Sequence, residues 1–185
     1  MKNIVVNILG ISLISSLIIP SALAQFVYPS SSFFYPPANL SRGINPTSIQ
    51  WLESNDAKVF GFLLSTSNFK SELITEESPV TILAPTDEAF AELPTEIREK
   101  LSDPLQMQKF LQHHLISNIV SESDIKKGEI TTLEGNSLKI QGRMMSDRTT
   151  EIRLNDAVAL ESARLNNNTV VILLDQVLLP PDLNN

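Results

Sequence analysis

The chain has no cysteine among its 185 residues. That single absence excludes disulfides, thiolate metal sites, a cysteine nucleophile and a lipid-modified cysteine anchor. Histidine occurs only as the adjacent pair His113 and His114. Neighbouring side chains point about 100° apart on a helix, or to opposite faces of a strand, so the two do not readily share a metal. No H-E-x-x-H, G-x-S-x-G or P-loop pattern is present, which removes the sequence signals for zinc, serine-hydrolase and phosphate-loop chemistry. Basic residues form no cluster, and 14 Lys and Arg against 21 Asp and Glu give a net charge of −7. A chain that cannot neutralise phosphates is a poor nucleic-acid binder. The acidic residues are scattered, without the spacing of a calcium loop. No internal repeat is visible, so one domain is expected.

What is present begins with a leader. Lys2 supplies a positive start, Ile4 to Ile19 an apolar run of 16 residues, and Pro20 a break before Ala22-Leu23-Ala24. This is the pattern of a secretory signal peptide cleaved before Gln25. The run is shorter than the ~20 apolar residues a membrane span needs, and no later run replaces it. Removal of the 24-residue leader leaves 161 residues, enough for one core without cross-links. The expected location is outside the cell or in the periplasm, and export without disulfides points to a bacterial source.

Residues 25–45 differ from the rest. They hold Pro29, Pro36, Pro37 and Gly43, one charge at Arg42, and the aromatics Phe26, Tyr28, Phe33, Phe34 and Tyr35. This reads as an extended tail or linker, either a plain spacer or a segment whose aromatics dock on something.

The folded domain is expected from Pro46 to Pro181, with a short tail at 182–185. Thr47 or Ser48 can cap a helix carrying Ile49 and Leu52, and Asp56 a second with Val59, Phe60, Phe62, Leu63 and Leu64. A further turn with Phe69, Leu73 and Ile74 leads to a strand at Pro79 to Leu83. Pro85 ends that strand because it lacks a backbone N–H. Thr86 is placed to cap the next turn, Asp87 and Glu88 put negative charge at its positive end, and Phe90 anchors it. Asp103-Pro104 opens a helix in which Leu105, Met107, Phe110, Leu111 and Leu115 fall near helical period. Residues 115–120 turn extended, and Ser121 to Lys127 is a polar helix stopped by Gly128. Strands follow at 129–133, 137–141, 149–154, 158–165 and 170–174, the last a continuous apolar run buried on both faces. Helices first and strands second predict an α+β fold.

The corner Ala84-Pro85-Thr86-Asp87-Glu88-Ala89-Phe90 resembles the first hallmark box of the fasciclin domain family, T-x-F-A-P-T-x-x-A-F. His113-His114 sits at the family's Tyr-His pair, and Thr132-Leu133-Glu134-Gly135 with Leu138 and Ile140 is similar to its hairpin. Asn155-Asp156-Ala157 leads to Asn168 through Pro180, which resembles the second box, N-G-V-I-H-V-I-D-x-V-L-x-P. The resemblance implies N-terminal helices packed on a wedge-shaped β-sandwich, and an extracellular adhesion module instead of an enzyme or a cofactor protein.

The departures carry information too. His113 replaces tyrosine and Ile172 replaces a histidine, so a polar contact is lost there. Thr169 stands at a usual glycine, which places any left-handed residue of that turn at Asn167 or Asn168. Asp124-Ile125 looks like an integrin-recognition pair, but its surroundings read as an ordinary helix.

His114 is expected to be a core histidine at a helix-to-strand junction, and Asp175 to bind backbone in the closing turn. The family's interaction region places the contact surface at His113, His114, Leu115, Ile116, Ile119 and Val120, flanked by Pro85, Thr86, Phe90 and Asp175 as structural hallmarks. The expected partner is a cell-surface or matrix protein or polysaccharide. A carrier role for an apolar small molecule, a carotenoid or lipid held in a helix/strand groove, is the rival reading, resting on Ile172, Met107, Met144, Met145 and the aromatic tail. The leader makes a direct prediction: intact-mass measurement of the exported protein returns a chain beginning at Gln25, and a chain retaining Lys2 contradicts it.

Overall fold

The computed structural model describes residues 46–66, 78–146 and 150–184. The leader, the 25–45 tail, the turn at Phe69 to Ile74 and Thr149 lie outside them. Six α-helices and seven strands are present among the described residues. The first two helices, α1 (Pro46–Ser54) and α2 (Lys58–Thr66), pair before β1 (Val80–Pro85). Three helices follow, α3 (Asp87–Ala91), α4 (Thr95–Lys100) and α5 (Pro104–His113). Then come β2 (Leu115–Ile116), α6 (Glu122–Lys127), β3 (Glu129–Thr131), β4 (Ser137–Met144), β5 (Thr150–Leu154), β6 (Ala157–Arg164) and β7 (Thr169–Leu174). A 3₁₀ turn at Pro181–Leu183 closes the order.

The strands form one sheet in the order β2-β1-β7-β6-β5-β4-β3. The first and last long strands, β1 and β7, run parallel with Leu83 opposite Ile172 and Ala84 opposite Leu173. Strands β5 and β6 share only two pairs, Arg153 with Val158 and Leu154 with Ala157. There the sheet divides and folds over. Leu83, Ile116, Ile172 and Leu174 of one part meet Ile130, Leu138, Ile140 and Leu154 of the other in a core between them. Alternate residues of the same strands, Ile82, Ala84, Val171 and Leu173, face the helices in a second core with Phe60, Phe90 and Phe110. The period of two in a pleated strand explains why β1 and β7 read as unbroken apolar runs: each face has a core of its own.

The hallmark corner behaves as its chemistry requires. Pro85 is the last residue of β1, Thr86 accepts a hydrogen bond from the Ala89 N–H at 3.2 Å, and Phe90 packs at 6.0 Å from the Phe110 ring centroid. Asp103 caps α5 by accepting from the N–H groups of Leu105 and Gln106. Gly128, left-handed at φ 81°, stops α6.

Five local expectations are corrected. Helix α1 already starts at Pro46, so Thr47 and Ser48 lie within it, not at its cap. Asp56 does not cap α2, because its backbone is left-handed at φ 58°. The cap comes from across the chain: the Asp87 carboxylate accepts the Val59 N–H at 2.9 Å, and the Asp87 N–H donates to the Asp56 carbonyl at 2.7 Å. Leu105 is 70% exposed, since at five residues before Phe110 it stands about 140° away from the buried stripe. In the turn before β7 neither Asn167 nor Asn168 is left-handed, whereas Asn155 in the separate β5–β6 turn is, at φ 52°. Strand β4 runs on to Met144, past the expected end at Gln141.

Asp87 therefore places one carboxylate at the first turns of both α2 and α3. Replacing it by alanine removes a cap and a favourable charge, for a predicted loss of about 1–2 kcal/mol in urea unfolding. Asn in its place keeps the acceptor and loses less. An Asp87→Ala protein as stable as the wild type refutes the shared cap.

Candidate functional site

Helix α5 ends at the histidine pair, and there the two side chains part. His114 is fully buried between the rings of Phe110 and Phe60, with centroids at 4.5 and 5.4 Å. Its Nδ1 donates to the Phe110 carbonyl at 2.9 Å, one helical turn back. Its Nε2 accepts the Leu178 N–H at 3.2 Å, 64 residues on. Only the neutral imidazole with its proton on Nδ1 satisfies both bonds. Burial holds the pKa far below the usual 6.5, at about 3, with the Phe110 carbonyl opposing the shift. The backbone of the same residue joins the sheet, since the His114 carbonyl accepts the Leu83 N–H at 2.8 Å. This is the core histidine of the helix-to-strand junction.

His113 points to the other side, where its Nδ1 donates to the Glu134 carboxylate at 2.9 Å. The bond ties α5 to the β3–β4 turn. Burial lowers the His113 pKa, and the Glu134 hydrogen bond and charge partly counter it. The structure thus places four of the six expected contact residues, His113, His114, Leu115 and Ile116, in the interior. The first three support a surface from beneath, while Ile116 also lines the groove beside them. Ile119 and Val120 are half-buried, next to the exposed Ser117 and Asn118.

A groove of about 330 Å³ opens beside this segment. Residues 116–120 form one wall, Glu129 to Thr131 of β3 the other, with Asp124 and Lys127 of α6 also lining it. Its walls are the two ends of the sheet, β2 and β3. They meet where the Leu133 N–H donates to the Leu115 carbonyl at 2.7 Å. The Ile140 N–H bonds Gly128 and the Thr132 N–H bonds Asn136, so even-numbered residues of this strand face β4. By the alternation of an antiparallel ladder, the main-chain groups of Glu129 and Thr131 turn the other way, to the groove side. Asp124 is engaged in a capping box, accepting from the Ser121 N–H at 3.0 Å. Ile125 lies against β4 where a side chain at Gly142 would come within 3.1 Å of it. The pair Asp124-Ile125 accordingly serves the helix.

A second concavity, about 420 Å³, lies by the hallmark corner and is lined by Asp56, Thr86, Glu88, Glu92, Leu160, Asp175 and Gln176. Asp175 does bind backbone, though not in the turn after it: its carboxylate accepts the Val158 N–H of β6 at 2.6 Å. Among the described residues, no three His, Asp or Glu side chains gather as a metal site. None of the described helices is long and apolar enough to cross a membrane.

Residues 55–180 match the Fasciclin domain family. The chain belongs to that family. Among curated fasciclin relatives, Protein sll1483 of Synechocystis sp. is 30% identical over 113 residues, which is 60% of each chain. Human periostin is 30% identical over 111 residues, 59% of this chain and 13% of periostin. The pig transforming growth factor-beta-induced protein ig-h3 is 30% identical over 112 residues, 58% of this chain and 16% of that protein. The chain therefore spans three-fifths or less of these relatives. A solved FAS1 domain pair from the insect cell adhesion molecule fasciclin I is 22% identical, with a TM-score of 0.46, covering 71% of this chain and 44% of that one.

Sequence reasoning overlooked Thr81 and Glu134, which hold the groove's surroundings in place. A threonine inside the apolar run Val80 to Leu83 was the available signal, since a buried hydroxyl needs a partner. The pH dependence follows from the histidines. The unfolded chain binds protons that the folded His114 refuses, so stability falls as pH drops from about 6.5 to about 3, at up to about 1.4 kcal/mol per unit. His113, also lowered, adds in the same direction. Urea midpoints measured across this range are predicted to slope less in His114→Asn than in the wild type, and equal slopes count against the assignment.

Proposed function

We propose that this fasciclin domain is an exported binding and adhesion module. It acts by surface complementarity, and its contact surface is the groove between β2 and β3 with the loop at 117–120. The observation that carries this reading is the groove itself, whose walls are sheet edges with outward main-chain groups and with mostly exposed or half-buried side chains above the buried Ile116 and Ile130. An extended segment of a matrix or cell-surface protein, or a polysaccharide with hydroxyl groups at similar spacing, meets such an edge by hydrogen bonding. Family membership supports the same reading. Placement outside the cytoplasm, secreted or periplasmic, rests on the leader.

Of the side chains that recommended an apolar carrier, Met144 and Met145 are exposed and line no groove described above, and the aromatic tail lies outside the described residues. Ile172 fills the core between the two parts of the sheet, and Met107 packs against the helical core. The groove mixes apolar with polar and charged side chains.

The test is retention of washed cells and of matrix polysaccharide on wells coated with the protein. Scrambling Ser117 to Ile119 leaves the buried residues untouched, so the thermal midpoint is predicted to hold while retention falls about tenfold or more. Unchanged retention by a folded scrambled variant rejects the groove as the contact surface.

A further inference from the structure

Strand β1 carries one polar side chain in its interior, Thr81, and that side chain is fully buried. Its backbone pairs with Ile116, the last residue of β2. Beyond Ile116 the chain leaves the ladder, and the Thr81 hydroxyl catches it again. Oγ1 donates to the Asn118 carbonyl at 2.7 Å and accepts the Val120 N–H at 3.1 Å. Between them, the Ile119 N–H bonds the Asn118 side chain at 3.0 Å. Main-chain groups of three successive loop residues are thus satisfied by side chains, with no partner strand.

A hydroxyl can donate once and accept twice, so this geometry uses Thr81 in both senses on one loop. The strand does not require it, because valine has the same branched shape and an equal liking for β structure. What the hydroxyl adds is the path of the loop, which exposes Ser117 and Asn118 and holds Ile119 and Val120 at the groove.

We propose that Thr81 is the positioning residue of the contact surface. Its hydroxyl sets one wall of the groove before any partner arrives, and so removes an ordering cost from binding. The proposal rests on the groove being the adhesive surface, and one of its two readouts is independent of that.

The experiment compares Thr81→Val and Thr81→Ser in the full exported chain. The first readout is amide hydrogen exchange at Val120, set against strand amides such as Leu83 to correct for global stability. The second is retention of washed cells on coated wells. In Thr81→Val, Val120 is predicted to exchange at least about tenfold faster relative to Leu83, since the bond that protects it is gone. Cell retention falls with it, and Thr81→Ser restores both. Unchanged Val120 exchange in Thr81→Val overturns the clamp. So does a serine variant that behaves like the valine one. Should the valine variant not fold, the wild type decides: a Val120 amide exchanging near the rate of an unfolded chain overturns the proposal. Faster exchange with full retention overturns the role in recognition. A wild-type protein that retains no cells rejects the adhesion reading, and the exchange rates still decide the clamp.

Discussion

One imidazole holds the molecule's long-range connections together. His114 reaches back to the Phe110 carbonyl, forward to the Leu178 N–H and sideways, through its own carbonyl, to Leu83. The end of α5, the centre of β1 and the segment after β7 are thereby fixed to one residue. The ring sits among Phe60 and Phe110, where a charged form finds no water and would meet the Leu178 donor head-on. A neutral histidine offering one donor and one acceptor suits that position, and few other side chains of its size do. The groove begins two residues further on.

The rest of the architecture follows from strands that serve two cores. Leu83 and Ile172 turn inward between the parts of the folded sheet, while their neighbours Ile82 and Val171 meet the helices. The sheet can fold over because β5 and β6 pair at two positions only. It is tied at the opposite end by Leu133 to Leu115 and by His113 to Glu134. The wedge therefore leaves a gap between its terminal strands, and that gap is the groove. The proposed contact surface is thus the edge of an incompletely closed sheet, kept in shape by buried polar side chains.

Much of this was legible in the sequence where the signal is local. The strand stopped at Pro85, the Thr86 and Asp103 caps, the Gly128 stop and the two-faced apolar strands all depend on residues within a few positions of one another. The histidine junction was legible from the adjacency of a helical and an extended pattern. What escaped depends on distant partners. Asp56 looks like a cap for α2, yet Asp87 does that work from 28 residues away. Asn155 takes the left-handed turn because its backbone and side chain also pair with Lys139 of β4. Burial of four of the expected contact residues, His113 to Ile116, is set by α5 and the β3–β4 turn closing over them, which no periodicity in six residues reveals.

The central claim is a neutral, doubly bonded His114, and nitrogen NMR of the labelled imidazole reads it directly. The account predicts a single tautomer with the proton on Nδ1, unchanged from pH 7 to below 5 in the folded protein. A ring protonated on Nε2, or one titrating near 6.5, would contradict it.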